Sequence, residues 1–337
     1  MDIKILTSIT TLADEGRSKF VIGTHGGIGH SDETVAVGIL CLLHEGKEIC
    51  IIRTRDMEEL SKCDICVDVG GGEFDHHQKG FDICREDGVL YASAGLIWKE
   101  FGEELIAKLL AKHFSEILDG GYQLQNIPHE VWKIIDADVM SLVDAEDNGI
   151  SVENHCFSYI SSFLPLWFNT NFDEQFLKVL KVTIDMLEQR ILHTAQSCIA
   201  EIILTQSWHR RGTIEELTEG KCTFAGNILS ISSQTIPWVE KVIEFNKSIF
   251  TPFLKEDSIN FVIFPYPAGG WAAQCVPPSI EKKFDKRIPF PKEWAGQTDK
   301  LPEVSGVDDA TFCHNGCFFV RAKTKKSVIE MCKLAME

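Results

Sequence analysis

Four clusters of carboxylates and imidazoles follow one another in this chain: His25-Gly26-Gly27-Ile28-Gly29-His30-Ser31-Asp32-Glu33, Val67-Asp68-Val69-Gly70-Gly71, Asp75-His76-His77, and Val143-Asp144-Ala145-Glu146-Asp147-Asn148-Gly149. So many oxygen and nitrogen donors converging on one place suit divalent metal ions. Mn²⁺ and Mg²⁺ take carboxylates, and Mn²⁺ accepts imidazole as well. A pair of such ions ~3.5–4 Å apart needs a bridging carboxylate, further ligands on each ion and open positions for water and phosphate. Asp68 is the natural bridge, because small residues follow it and leave room for a second ion. His25 and His30 then serve one ion, and Asp32, His76 and Asp144 the other. The chemistry expected is in-line attack of a bridging hydroxide on phosphorus.

Each of these residues also has an ordinary use. Asp32 can cap a helix, Asp144 can be a solvated helix residue, and His25 can bond a backbone carbonyl in a core. Coincidence accounts poorly for all four clusters together, since each follows a strand or lies on a helix. In an extended segment adjacent side chains point oppositely, so His76 and His77 are expected to serve different partners. His77, with Lys79 just beyond it, is assigned to a nonbridging phosphate oxygen; the alternative is a structural histidine and a solvated lysine. Cys63-x-x-Cys66 lacks a second pair at zinc spacing and reads as two buried thiols. Cys313-His314-x-x-Cys317 likewise lacks a fourth ligand. No Gly-Lys-Ser/Thr follows Gly26-Gly27-Ile28-Gly29, so that turn is not a phosphate-binding P-loop.

The elements that must position these groups alternate. Lys19–Thr24, Glu48–Thr54 and Ile65–Val69 read as strands, and Thr34–Leu43 and Met57–Cys63 as helices. This β-α-β-α-β order predicts a parallel sheet with helices on both faces. Ligands then collect beyond the carboxyl ends of the strands, where His25 and Asp68 fall. Ser93 is expected to cap a helix through Phe101, with more helix to about Leu118. Pro128–Asp147 reads as a helix ending at Asn148-Gly149. Phe172–Ser207 has long helical periodicity, and residues 166–207 are read as a connector between a catalytic domain at 1–165 and a smaller α/β domain at 208–337, across a cleft. In that second domain Cys222–Ser230, Ile259–Pro265, Trp271–Val276 and Thr311–Arg321 read as strands. Trp238–Phe245 and Lys325–Met336 read as helices, and Pro277–Pro302 as a surface excursion.

With 337 residues, 44% of them hydrophobic and 25% charged, the chain has the composition of a globular protein with room for two cores. No apolar run approaches the ~20 residues of a membrane span. The N-terminus lacks a signal-peptide core or an Arg-rich transit pattern, and twelve cysteines lie scattered without a framework. A cytoplasmic location and no membrane partner are expected, with a nuclear or mitochondrial site open for a eukaryotic chain; a homodimer is also compatible. The net charge of -17 argues against a long nucleic-acid footprint and leaves room for gripping a strand end.

Taken together, the clusters resemble the DHH phosphoesterase superfamily and, more closely, the MYG family (UPF0160-type) of DHH-like 3′–5′ exonucleases. His25–Glu33 is similar to that family's His-Asn-Gly-x-Phe-His-x-Asp-Glu. Arg53-Thr54-Arg55-Asp56, Val67–Gly71, Asp75-His76-His77-Gln78, Ser93-Ala94-Gly95-Leu96-Ile97 and Val143–Ile150 match closely, as does Trp271-Ala272-Ala273-Gln274-Cys275-Val276-Pro277. Gly26 stands where the family has Asn and Gly29 where it has Phe, and the loop from Asp68 to Asp75 is shorter than in many members. His314-Asn315-Gly316-Cys317-Phe318-Phe319 replaces a His-Ser-Gly-Phe-Ile-Gly pattern. The resemblance implies a DHH-type N-terminal domain and a manganese- or magnesium-dependent nuclease with two ions per site. The substrate it implies is single-stranded RNA or short nucleic-acid ends, with DNA as a further candidate. The C-terminal domain holds the terminal nucleotide, with His314 and Lys323 on phosphate or ribose and Trp271 stacked on a base; a core role for Trp271 stays open. Two other functions compete: hydrolysis of a small phosphorylated molecule such as pyrophosphate, a cyclic dinucleotide or a very short oligonucleotide, and a non-catalytic binding protein with a relic site.

Overall fold

The computed structural model describes residues 2–9, 18–118, 125–152, 157–158, 171–248 and 258–337. Two compact units, Met1–Ala195 and Gln196–Glu337, are both mixed α/β. The boundary expected at 165/166 lies outside the described residues.

In the first unit the elements are β1 (Ile3–Leu6), β2 (Lys19–Thr24), α1 (Ser31–Leu43), β3 (Glu48–Arg53), α2 (Met57–Leu60), β4 (Ile65–Cys66), α3 (Ser93–His113), α4 (Ser115–Leu118), α5 (Ile127–Ile135) and α6 (Ser141–Asp147). Strands β1-β3-β2-β4 pair in that order, all parallel. The middle of β3 (Ile49-Cys50-Ile51-Ile52) is buried throughout, as a strand covered on both faces must be. Because the strands run one way, the residues that end β2, β3 and β4 share one edge, and His25, Arg53 and Asp68 sit there. Strand β4 is shorter than the expected Ile65–Val69. Asp68 takes φ +58°, in the left-handed region, so the ladder cannot continue through it.

Helix α1 is buried from Asp32 to Leu43. It packs on α3, and Gly38 lets Leu187 and Thr183 of α7 (Phe172–His209) approach closely. The helix expected over Pro128–Asp147 is present, but it is not uniform. One π-helical stretch, Asp136–Met140, joins α5 to α6. At the start of α3 the N-cap is Ala92 rather than Ser93, which frees the Ser93 hydroxyl for another partner.

Helix α7 contains the boundary between the units. The second unit continues with α8 (Ile214–Glu219), β5 (Phe224–Ala225), β6 (Ile228–Ser230), α9 (Val239–Ser248), β7 (Phe261–Pro265), β8 (Trp271–Cys275), α10 (Leu301–Ser305), β9 (Ala310–Cys313), β10 (Phe319–Ala322) and α11 (Lys325–Leu334). Its sheet order is β5-β6-β7-β8-β10-β9. Two strands expected from sequence are hairpins. Gly226 and Asn227 both take positive φ, which turns Cys222–Ser230 back on itself as β5 and β6. Thr311–Arg321 is split into β9 and β10 by a turn in which Cys317 has φ +51°. One sheet face packs Ile263, Ala273, Val320 and Ala322 with Val328, Ile329 and Met331 of α11. The other packs Val262, Phe264 and Ala272 with Trp238 and Val242. The Pro277–Pro302 stretch is not wholly a surface excursion, since Phe290, Trp294 and Leu301 join the first of these cores. Among the described residues no helix is long and apolar enough to cross a membrane.

Candidate metal centre

Asp68 is the pivot of the site at the strand ends. Its side chain is buried, and neither carboxylate oxygen accepts a hydrogen bond. Three imidazoles surround it instead: His77 Nδ1 at 2.9 Å, His25 Nε2 at 3.2 Å and His76 Nδ1 at 3.6 Å. A non-glycine residue in the left-handed region costs about 1–3 kcal/mol and persists where the surroundings over-determine it. Here that geometry turns the carboxylate toward the imidazoles.

Three groups of donors have ligand atoms within 4.8 Å of one another: His25, His30, Glu33 and Asp68; Asp68, His76 and His77; and His30, Asp32 and Asp147. Asp68 belongs to two of them and His30 to two. Donors on one octahedral ion at about 2.1 Å lie at most about 4.2 Å apart, so small inward movements of these side chains would suffice to hold such an ion. The charge balance agrees. Asp32 is buried as well, and with neither oxygen hydrogen-bonded its charge is costly without a cation. Burial, followed by the charges of Asp68, Asp147 and Glu33, pushes the Asp32 carboxyl well above its ordinary value. Burial pulls the His25 imidazole down, but Asp68 and Glu33 outweigh it and carry it to about 10. A centre so rich in negative charge draws protons, and a divalent cation would take their place.

Neighbouring groups fix the imidazoles. His25 Nδ1 lies 3.0 Å from the Gly26 carbonyl, which leaves Nε2 facing Asp68 and Glu33. His76 Nδ1 lies 3.2 Å from the buried Ser93 hydroxyl, and its Nε2 lies 2.9 Å from Asp147. Burial lowers the His76 pKa, yet Asp147 outweighs it and the net shift is upward. The expected opposition of His76 and His77 is not found. They lie in a turn rather than an extended segment, with ring centroids 4.1 Å apart and both facing Asp68. His77 differs by being open to solvent, with 62% of its side chain exposed. Lys79 is exposed nearby in sequence.

The structure brings His25, His30, Asp32, Asp68, His76 and His77 together and leaves Asp144 out. Asp144 is buried one turn of helix before Asp147. Its Oδ2 takes Arg85 Nε at 2.8 Å and Nη2 at 2.7 Å, and its Oδ1 accepts the Gly95 amide at 3.0 Å. It therefore caps the start of α3 from another helix, and its carboxylate fills the space a side chain at 95 would need. Burial raises the Asp144 pKa to about 6 against the opposing pull of Arg85. Asp147, further along the same helix, lies beside His76 instead.

Glu33 and Asp147 are additions that residue-by-residue reading did not single out, although both lie inside the quoted clusters. Glu33 bonds the His30 amide and the Thr24 hydroxyl, at 3.2 Å each, and its Oε2 lies 2.7 Å from His25. Arg53 holds its other oxygen at 3.3 Å, reaches the Gly27 carbonyl at 3.1 Å and pairs with Asp173 at 3.0 Å. The signals available were the Asp32-Glu33 tandem and an arginine ending a strand. Phe176 lies beneath that guanidinium at 4.2 Å, and its ring occupies the space a side chain at Gly29 would need.

The remaining sequence candidates belong to the second unit. Trp271 is half-buried against the α11 core with Lys325 over its ring at 5.1 Å. His314 is exposed, and its Nδ1 accepts the Gly316 amide at 2.9 Å, which leaves Nε2 as the protonated nitrogen. Lys323 is exposed at the end of β10.

The model of a family described as "Uncharacterised protein family (UPF0160)" matches residues 21–336. The human protein named MYG1 exonuclease is 29% identical, over 94% of this chain and 85% of its own length. The MYG1 protein of Chlamydia muridarum is 27% identical, over 94% of this chain and 96% of its own. No solved structure matches the chain. A family match that takes in every residue of the strand-end cluster and continues through α11 means that this chain belongs to the UPF0160 family.

Proposed function

We propose that this chain is a metal-dependent phosphodiesterase of the DHH type, a nuclease that removes nucleotides from the 3′ end of RNA and in some settings DNA. The observation that carries the reading is Asp68: a buried carboxylate in left-handed backbone, faced by the imidazoles of His25, His76 and His77. The name of the human relative supports the nuclease class.

Two ions sharing Asp68 would draw on His25, His30 and Glu33 on one side and on His76, Asp32 and Asp147 on the other. Bound Mn²⁺ or Mg²⁺ supplies a nucleophilic water at neutral pH and neutralises charge on the phosphate. The chain's own groups do the positioning. The Gly26 carbonyl and Ser93 hydroxyl hold His25 and His76 in orientation, and Arg53 steadies Glu33. Exposed His77 anchors Nδ1 on Asp68 and turns its other nitrogen outward to donate to a nonbridging phosphate oxygen, with Lys79 adding charge. His314 Nε2, Lys323 and Trp271 are assigned to the terminal nucleotide. Single-stranded ends are the partners, the location is cytoplasmic, and a homodimer is compatible.

The test is hydrolysis of a 5′-labelled RNA oligonucleotide with Mn²⁺, with and without chelator, resolved as a ladder. A chelator-sensitive ladder shortening one nucleotide at a time from the 3′ end is expected; an uncut strand overturns the reading. The net charge of -17 favours a second reading, hydrolysis of a small phosphorylated molecule. That reading requires the rate to fall as the oligonucleotide lengthens.

A further inference from the structure

The sheet of the second unit has one face closed by α11 and another only partly closed. In antiparallel strands, residues directly opposite each other share a face. Arg321 lies opposite Ala272 and Phe312, and Phe319 lies opposite Gln274. These side chains therefore share the face that packs Val262, Phe264 and Ala272 with Trp238. Toward β10 and β9 that covering runs out. Phe312, Phe319, Gln274, Arg321 and Tyr266 are all half-buried rather than buried.

Their arrangement is a layer of rings with one cation in it. Phe312 and Phe319 have centroids 6.3 Å apart, and Tyr266 meets Phe319 edge-on at 6.1 Å. The Arg321 guanidinium lies over the Tyr266 ring at 3.8 Å. Its buried Nε finds no acceptor, and among the described residues it pairs with no carboxylate. In a chain of net charge -17 an arginine beside aromatic rings and without an acidic partner is complementary to something both anionic and aromatic. The Gln274 side chain on the same face makes no hydrogen bond among the described residues, so its amide is available to a polar edge.

We propose that this face is a stacking site for an unpaired base of a single-stranded oligonucleotide, with Phe312 and Phe319 as the platform and Arg321 on the adjoining phosphate. Stacking on aromatic side chains with a nearby cation is the general way that single strands are held without reading sequence. The site is distinct from Trp271, which lies on the opposite face. Its identification as nucleic-acid binding rests on the nuclease reading above; the geometry of the face does not.

The experiment is fluorescence anisotropy of a 5′-labelled oligoribonucleotide with the full chain in EDTA, where cutting is blocked. Arg321→Gln and Phe312→Leu are each expected to weaken binding by about tenfold, and Lys333→Ala, an equal loss of charge at the end of α11, to leave it unchanged. An abasic strand of equal length is expected to bind as weakly to the native chain as the intact strand does to the Phe312→Leu variant. Circular dichroism melts confirm that each variant is folded, and Phe312→Leu retains an apolar side chain for that purpose. Unchanged binding in both variants, equal binding of the abasic strand, or no binding by the native chain overturns the proposal. A native chain that binds but does not cut with Mn²⁺ overturns the nuclease reading and leaves the stacking site standing.

Discussion

Arg85 and Asp144 form a buried ion pair in which two guanidinium nitrogens, 2.8 and 2.7 Å away, converge on a single carboxylate oxygen. The other oxygen is left to the Gly95 amide. Truncating one member of such a pair strands the other's charge, so Asp144→Ala should lose about 3–5 kcal/mol of stability. Asp147→Asn should lose metal affinity with little loss of stability. Denaturant titrations beside metal analysis of the folded variants would separate the two, and the reverse pattern would return Asp144 to the ligand set.

Asp68→Asn should abolish turnover, and in the metal-free chain it should remove a counter-charge of His25 and bring that imidazole's pKa down toward its ordinary value. The side chain keeps its shape, and Asn tolerates the left-handed backbone that Asp68 adopts. Activity within tenfold of the native chain would sink the bridging role.

His25 gives the metal-free chain a defined pH dependence. Burial works against its protonation, but Asp68 and Glu33 raise it to about 10 from 6.5. The folded state keeps a proton that the unfolded state releases in between. This stabilisation is complete below pH 6.5 and is lost as pH rises through 10, at about 1.4 kcal/mol per pH unit within that window. The slope should appear in chelator-treated native chain and be absent from His25→Gln. Saturating Mn²⁺ should flatten it, because a ligand imidazole is already neutral.

Phe176 fills the space beside Gly29, so the two positions should be coupled. Phe176→Ala should cost about 3–5 kcal/mol, and Gly29→Phe alone should clash with the native ring. The double variant should be more stable than the sum predicts by about 0.5–3 kcal/mol. Strict additivity in denaturant melts would show that the two sites are independent.

The candidate site was legible from the sequence wherever a donor side chain follows a strand directly. The parallel sheet places the ends of β2 and β4 at one edge, so His25 and Asp68 could be brought together from periodicity alone. The choice between Asp144 and Asp147 could not. Both lie on α6, and only the distant Arg85 and Gly95 decide which carboxylate turns toward the histidines. The histidine pair misled because a rule for extended chain was applied to a turn. The two hairpins of the second unit hid inside apolar runs even though Gly226-Asn227 and Asn315-Gly316 are turn-forming pairs, because the strands on either side are only two to four residues long. Phe176 was beyond reach, since nothing local connects it with Gly29.

The π-helical stretch Asp136–Met140 lies just ahead of Asp144 and Asp147 on α6. Such a stretch carries one more residue than the α-helical turn it replaces, and each residue of an α-helix advances about 100° around the axis. Deleting one residue there would restore regular winding and swing Asp144 and Asp147 away from Arg85 and His76 together. The azimuth of the whole acidic helix therefore hangs on a single inserted residue, as though the centre had been tuned by changing the length of the chain as well as its side chains.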